Sequence, residues 1–295
     1  MTSTTFQLGN RIVHRIGYGA MQLPGPGVMG PPRDRDEAIR VLRRAVELGV
    51  DHIDTAQYYG PVVANELIRQ ALHPYPDNLA IVSKVGAFRD DQGGWIPAQK
   101  PAELRQGVEE NLRTLETEQL AAVNLRLMPA GDDSADFVPL EDQLAEMVAL
   151  RDEGKIAGIG LSTASLEQVE TAIGLAGIVT VQNPFSLVDR HDAPVLALTA
   201  ERGIAYAPYF PLGSAFEGMP KVTDQPEVRA VAERRGVEPS QVGLAWLLAQ
   251  SENVLLIPGT SRVAHLEQNL AVGELELTEE DLSELGALRS PPAGD

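Results

Sequence analysis

Short apolar segments alternate with amphipathic helical segments along nearly the whole chain, and this alternation constrains the fold more than any other feature. Apolar runs of strand length occur at residues 15–22, 50–56, 79–85, 121–127, 156–161, 178–182, 204–209 and 254–257. Helical periodicity lies between them, at residues 33–48, 101–115, 140–152, 166–176 and 193–201. Strands that alternate with helices are typical of parallel α/β folds. Eight such units predict an α/β fold of the (β/α)8 TIM barrel type, with residues 1–295 forming a single domain.

Further segments are expected outside the eight units. Residues 6–14 contain two apolar pieces around Gly9-Asn10, which is typical of a two-residue hairpin turn, and they predict an N-terminal hairpin that plugs the barrel floor. Residues 227–235 and 239–250 predict two extra helices between the last two strands, and residues 279–289 predict a C-terminal helix. Residues 24–32 are rich in Gly and Pro and predict an exposed loop. The tail 291–295 is expected to be disordered.

The charge and composition exclude several classes of partner. With 24 Lys and Arg against 42 Asp and Glu, the formal net charge of -18 disfavours binding to nucleic acid and to anionic membranes. No apolar run approaches the roughly 20 residues that span a bilayer, and the N-terminus lacks the pattern of a secretory signal. The absence of Cys removes disulfides and thiolate metal sites. We therefore expect a cytoplasmic protein that acts on a small molecule.

Three chemically distinctive side chains follow the second and third apolar runs. Asp54 lies near the end of the second strand, Tyr59 begins the following loop, and Lys84 ends the third run. Because the carboxyl ends of barrel strands meet on one face, these groups are expected in one pocket. A buried ammonium needs a counter-ion, and a nearby cation lowers the pKa of a phenol. We predict that Asp54 holds Lys84 and that Tyr59, with a lowered pKa, is a general acid. The alternative is an ordinary buried ion pair beneath a core tyrosine.

The sequence Asp-Thr-Ala-x-x-Tyr-Gly, followed by Ser-Lys, resembles the aldo-keto reductases. The resemblance implies a (β/α)8 barrel, NADPH as hydride donor and catalytic roles for Asp54, Tyr59 and Lys84, usually with a histidine from the fourth strand. In Val123-Asn-Leu-Arg126, Arg126 stands where most members have that histidine. A guanidinium is neither acid nor base at ordinary pH, but it can donate to a carbonyl oxygen or hold an anionic substrate group. Pairing with a loop carboxylate is the structural alternative.

The same resemblance implies a set of cofactor contacts besides Asp54. At the nicotinamide end these are Gly19, Met21, Ser162, Thr163 (where the family has Asn), Gln182 and the stacking Tyr209. The loop Pro211, Leu212, Gly213 and Ser214 is expected around the pyrophosphate. At the adenosine 2′-phosphate end they are Gly259 (where the family often has Lys), Thr260, Arg262, His265, Gln268 and Asn269. NADPH is therefore the predicted cofactor, with NADH as the alternative.

The resemblance predicts an NADPH-dependent carbonyl reductase whose partner is a small-molecule aldehyde or ketone. Residues 17–23, 27–35, 123–126 and 255–261 resemble the bacterial pyridoxal reductase branch of the family, which predicts pyridoxal as a substrate. Three alternatives remain open. They are a general aldehyde or ketone reductase of secondary metabolism, a non-catalytic NADPH-binding accessory or sensor subunit, and an aldolase that uses Lys84 as a Schiff-base nucleophile.

Overall fold

Seven strands form one parallel sheet in the computed structural model, which describes residues 3–128, 137–213 and 220–288. In chain order the strands are β1 (Thr5–Leu8), β2 (Arg11–His14), β3 (Tyr18–Gly19), β4 (His52–Asp54), β5 (Ala80–Val85), β6 (Ala87–Arg89), β7 (Trp95–Pro97), β8 (Ala122–Arg126), β9 (Ile159–Ser162), β10 (Thr180–Gln182) and β11 (Ala205–Tyr206). The pairs β1–β2 and β6–β7 are antiparallel hairpins. The other seven strands lie side by side in the order of the sequence.

Residues 254–259, here called the closing segment, join the two edges of this sheet. Isolated parallel bridges connect Val254 to Tyr206, Leu256 to Ile16 and Gly259 to Gly19. The backbone N–H of Leu256 donates to the carbonyl oxygen of Arg15 at 2.7 Å. The sheet therefore closes into the predicted (β/α)8 barrel, although its eighth segment is joined by single bridges rather than by a continuous strand.

A buried arginine ties the start of the barrel to its closing segment. The guanidinium of Arg15 donates to the carbonyl oxygens of Val254 at 3.1 Å, Leu248 at 2.8 Å and Ser251 at 2.5 Å. A buried cation is tolerated where its donors are satisfied in this way. Arg15 thus stabilises the seam of the barrel on the side away from the strand ends that carry Asp54 and Lys84.

Helices surround the barrel and complete the predicted alternation. They are α1 (Arg35–Glu47), α2 (Val63–Leu72), α3 (Pro101–Leu115), α4 (Leu140–Asp152), α5 (Leu166–Ala176), α6 (Ala193–Glu201), α7 (Pro226–Arg235), α8 (Pro239–Gln250), α9 (Val263–Ala271) and α10 (Glu279–Gly286). In α1 the side chain of Asp34 accepts the N–H of Glu37, and its apolar positions face the core. Among the described residues no helix combines the length and apolar character needed to cross a membrane.

The N-terminal hairpin lies where it was predicted. Leu8 of β1 and Val13 of β2 are buried against Ala80, Ala122 and Ala205, which begin three of the barrel strands. The hairpin therefore covers the amino ends of the strands and leaves their carboxyl ends for a functional site.

Two loops differ from the sequence-based expectations. Residues 24–32 are not exposed throughout, because Pro24 and Gly25 are buried and the backbone N–H of Gly60 donates to Val28 at 3.0 Å. The segment after Gly60-Pro61, expected to continue as a loop, instead forms α2. This helix was missed because it follows a breaker pair and its N-cap residue, Val62, has a φ of 56° and provides no side-chain cap. The tail 289–295 lies outside the described residues.

Candidate active site

A buried ion pair lies at the carboxyl ends of β4 and β5. Lys84 Nζ contacts Asp54 Oδ1 and also donates to the carbonyl oxygen of Thr55 at 3.1 Å. The two charged side chains are only 5% and 6% exposed. The second carboxylate oxygen of Asp54 accepts Gln182 Nε2 at 2.9 Å, from a strand on the far side of the barrel. Asp54 thus fixes both the ammonium group and the amide.

Tyr59 lies beside this pair in the loop that follows β4. Lys84 Nζ is 5.0 Å from the centroid of the Tyr59 ring, and the tyrosine is 6% exposed. The ring of Tyr58 meets Tyr59 edge to face at 5.4 Å. The structure therefore brings Asp54, Lys84 and Tyr59 together at the mouth of the barrel.

The protonation of Tyr59 differs from the sequence-based expectation. Burial raises its pKa well above the ordinary value of 10.0, the negative charge of Asp54 acts in the same direction, and only Arg126 opposes this shift among the nearby charges. The predicted lowering is wrong because burial disfavours the charged phenolate and Asp54 adds a negative charge nearby. Tyr59 consequently keeps its proton at neutral pH. Since an alkoxide is a stronger base than a phenolate, proton transfer from Tyr59 to an alkoxide remains favourable.

Two guanidinium groups lie over the indole ring of Trp95 on the rim of the site. The Cζ atoms of Arg126 and Arg89 are 4.6 Å and 4.2 Å from the ring centroid. Trp95 in turn contacts Tyr58 edge to face at 5.1 Å and is 39% exposed. Nε of Arg126 is buried and has no hydrogen-bond partner, and no ion pair joins Arg126 to a carboxylate of residues 3–128, 137–213 or 220–288. Arg126 therefore stacks on Trp95 at the rim instead of pairing with a described loop carboxylate, which was the structural alternative.

Four of the residues predicted for the nicotinamide end lie at or shortly after the ends of neighbouring strands: Ser162 and Thr163 at β9, Gln182 at β10 and Tyr209 after β11. The other two, Gly19 and Met21, lie at the end of β3 and in the turn that follows it. In the strand register Arg126 is opposite Ser162, and Ser162 is opposite Gln182. Thr163 Oγ1 is 3.4 Å from the hydroxyl of Tyr209. Thr163 has a φ of 61°, a left-handed conformation that is uncommon for non-glycine residues. The amide of Gln182 serves Asp54 as well, which sequence reasoning did not anticipate.

The loop expected around the pyrophosphate is a tight turn directly after β11 and Tyr209. The N–H of Gly213 donates to the carbonyl oxygen of Phe210 at 2.9 Å, and Leu212 accepts the N–H of Val222 at 3.0 Å. Pro211, Leu212 and Gly213 are partly buried. Ser214 lies outside the described residues, so its predicted contact has no structural description.

A separate pocket of about 280 Å³ opens beside the closing segment. It is lined by the predicted residues Gly259, Thr260, Arg262 and His265, and also by Gln22 and Ser261, which the sequence did not single out. Gln268 and Asn269, which were predicted for this end of the cofactor, do not line it. A Cβ at Gly259 would lie 2.7 Å from the carbonyl oxygen of Gly19, so these backbones meet too closely for the lysine that the family often has.

The charges of this pocket favour an anion but are not uniformly positive. Arg262 and His265 are exposed basic side chains of its lining. The first N–H of α9, from Val263, donates to Glu37 Oε1 at 3.1 Å, and this bond lowers the pKa of Glu37. The volume and the two basic side chains fit the phosphate-bearing end of a nucleotide cofactor. Glu37 does not line the pocket, but its carboxylate occupies the first N–H of α9, directly after Arg262 in the chain.

A small cavity of about 20 Å³ lies beneath Asp54 inside the barrel. Its lining includes His52, Asn124 and Gln182. This volume accommodates no more than about one water molecule. A carbonyl substrate therefore reaches Tyr59 from the mouth of the barrel rather than through its interior.

The sequence and the fold of this chain are similar to those of known oxidoreductases. A sequence model of the aldo/keto reductase family matches residues 15–290. The chain is 48% identical over 288 residues to pyridoxine 4-dehydrogenase of Escherichia coli (strain K12), covering 98% of this chain and 99% of that protein. It is 36% identical over 282 residues to an uncharacterized oxidoreductase of Schizosaccharomyces pombe (strain 972 / ATCC 24843), covering 95% and 88%. The crystal structure of an aldo/keto reductase from Klebsiella pneumoniae in complex with NADP and acetate superposes with a TM-score of 0.81 at 26% identity, covering 99% and 98%.

Proposed function

We propose that this chain, which belongs to the aldo/keto reductase family, reduces the carbonyl group of a small molecule with NADPH, and that pyridoxal is a substrate. The relative from Escherichia coli is named a pyridoxine 4-dehydrogenase. Oxidation of pyridoxine at its 4-hydroxymethyl group and reduction of pyridoxal are two directions of one reaction. The name of that relative therefore supports pyridoxal.

The observation that carries the proposal is the arrangement of Tyr59, Lys84 and Asp54 at the strand ends. The phenol is protonated because burial raises its pKa, and the ammonium group lies 5.0 Å from its ring. A buried, proton-bearing phenol beside a fixed cation is suited to give a proton to an oxygen on which negative charge develops.

NADPH is supported by the basic pocket and by the relatives crystallised with NADP or NADPH. Arg262 and His265 would hold its adenosine phosphate, and Ser162, Thr163 and Tyr209 its nicotinamide end. The reduced nicotinamide, when bound, supplies the hydride that the carbonyl carbon accepts.

The residues of the chain supply the proton and the orientation. Tyr59 donates its proton to the carbonyl oxygen as that oxygen becomes an alkoxide, and the neutral alcohol then leaves. The resulting phenolate is stabilised by Lys84, and Asp54 keeps Lys84 in place. The phenolate regains a proton from solvent at the mouth. Arg126 and Trp95 form the wall that orients the substrate.

This function is tested by measuring NADPH oxidation with pyridoxal and with a set of simple aldehydes. The loss of NADPH absorbance reports the rate. We expect turnover with pyridoxal and slower turnover with NADH. Tight NADPH binding without turnover of any carbonyl compound would instead favour an accessory or sensor subunit. Borohydride trapping of a carbonyl compound on Lys84 would favour an aldolase.

A further inference from the structure

Arg126 differs from its neighbour Arg89 in how its guanidinium is used. Arg89 donates to the carbonyl oxygen of Gly27 at 2.7 Å and to the sulfur of Met29 at 3.4 Å. Arg126 lies over Trp95 with its buried Nε lacking any acceptor. Within the described part of the chain, no carboxylate forms an ion pair with it. Since a buried donor without an acceptor is costly, this arrangement indicates that a bound ligand provides the acceptor.

The buried carboxylate of the catalytic group is not available as the acceptor for Arg126. Asp54, the buried carboxylate of the catalytic group, is already engaged by Lys84 and Gln182. Arg126 is connected to Tyr59 through two ring contacts, because Trp95 beneath its guanidinium meets Tyr58, and Tyr58 meets Tyr59. An anion held by Arg126 would therefore lie on the same side of the mouth as the carbonyl oxygen that Tyr59 would protonate.

We propose that Arg126 binds an oxyanion adjacent to the reacting aldehyde, so that the preferred substrates are aromatic aldehydes with an ionised hydroxyl group ortho to the formyl group. This inference rests on the proposed function and deepens it. In pyridoxal the hydroxyl group at ring position 3 adjoins the formyl group at position 4, and it is ionised at neutral pH because the ring nitrogen is protonated. A planar guanidinium with several donors suits such an oxygen.

The chemistry of the aldehyde explains why a guanidinium is useful at this position. An ortho phenolate donates electron density into the formyl group and makes its carbon a poorer hydride acceptor. A permanently charged guanidinium beside the phenolate oxygen holds this electron density on the oxygen and so reduces its donation into the formyl group. A histidine, which is largely uncharged near neutral pH, provides one neutral donor and cannot do so to the same degree.

A matched pair of aldehydes tests this inference. Salicylaldehyde carries the ortho hydroxyl group, and 2-methoxybenzaldehyde keeps an oxygen at the same position that is methylated and does not ionise. At a pH where salicylaldehyde is ionised, we expect kcat/KM of the wild-type protein to be higher for salicylaldehyde by about 10- to 100-fold, the size of a charge-assisted contact. Arg126→Gln and Arg126→His should reduce this ratio to one or below, because an ortho phenolate without a paired cation makes the formyl carbon a poorer hydride acceptor. Arg126→Lys should retain part of the ratio.

If Arg126 instead polarises the carbonyl oxygen, its substitutions slow both aldehydes equally and leave the ratio unchanged, which overturns the inference. Arg89→Gln is the control, because it removes a positive charge from the same indole ring. We expect Arg89→Gln to preserve the ratio. An equal loss in Arg89→Gln would show that net charge rather than contact matters, and would overturn the inference.

A wild-type ratio near one refutes this inference while the proposed function stands. Absence of NADPH oxidation with every aldehyde, pyridoxal included, overturns both.

Discussion

Replacing Asp54 by Asn should destabilise the protein strongly, because it leaves a buried ammonium group without its counter-ion. Both partners of the Asp54–Lys84 pair are about nine-tenths or more buried, so solvent screens them little. Breaking such a pair costs about 3–5 kcal/mol. Lys84 keeps the carbonyl oxygen of Thr55 as an acceptor, so we expect the lower end, about 3 kcal/mol. For a protein of this size that corresponds to a Tm lower by roughly 6–12 °C.

This effect is measured by thermal and denaturant unfolding of three variants: Asp54→Asn, Lys84→Met and the double variant. Because the double variant removes both charges and keeps the volume, it should unfold at a higher temperature than Asp54→Asn alone. A loss below about 1 kcal/mol in the single variant would contradict the reasoning, as would a double variant whose loss equals the sum of the two singles.

Three further predictions concern the proton donor and the cofactor pocket. Because the pKa of Tyr59 is raised, kcat/KM for a neutral aldehyde should show no loss from its deprotonation up to about pH 10, and a decline near about pH 8 would contradict this. Glu37→Gln removes a carboxylate from the start of α9 and should favour NADPH over NADH by about two- to fivefold in fluorescence titrations, whereas an unchanged ratio would place Glu37 away from the phosphate. Gly259→Ala should lower the free energy of unfolding by about 1–3 kcal/mol, because its Cβ meets a backbone oxygen. Its control, Gly174→Ala in α5, has open space for a Cβ and should be neutral or stabilising, and equal losses in both would refute the argument.

The periodic part of the fold could be predicted from the sequence because it depends on local patterns. The apolar run 79–85 predicted β5, observed at Ala80–Val85, and with it the position of Lys84 at a strand end. Helices α3, α4 and α5 begin and end at the predicted residues. Since strand ends of a barrel converge, the proximity of Asp54, Tyr59 and Lys84 followed from the order of the elements.

The features that could not be predicted depend on contacts between distant segments. Gln22 joins the pocket beside the closing segment because the backbones of Gly19 and Gly259 pair across the barrel seam. The stacking of Arg126 on Trp95 requires the β6–β7 hairpin, whose strands are only three residues long. The raised pKa of Tyr59 depends on its burial, which no local pattern indicates.

Tyr59 is the group proposed to protonate the substrate oxygen, and reduction of the carbonyl group depends on it most directly. This role is tested by comparing NADPH oxidation with pyridoxal between the wild-type protein and Tyr59→Phe, which removes only the hydroxyl group. The affinity for NADPH is measured in parallel. We expect kcat to fall by about 100-fold or more while the affinity for NADPH is retained. Turnover of Tyr59→Phe at the wild-type rate would contradict the account.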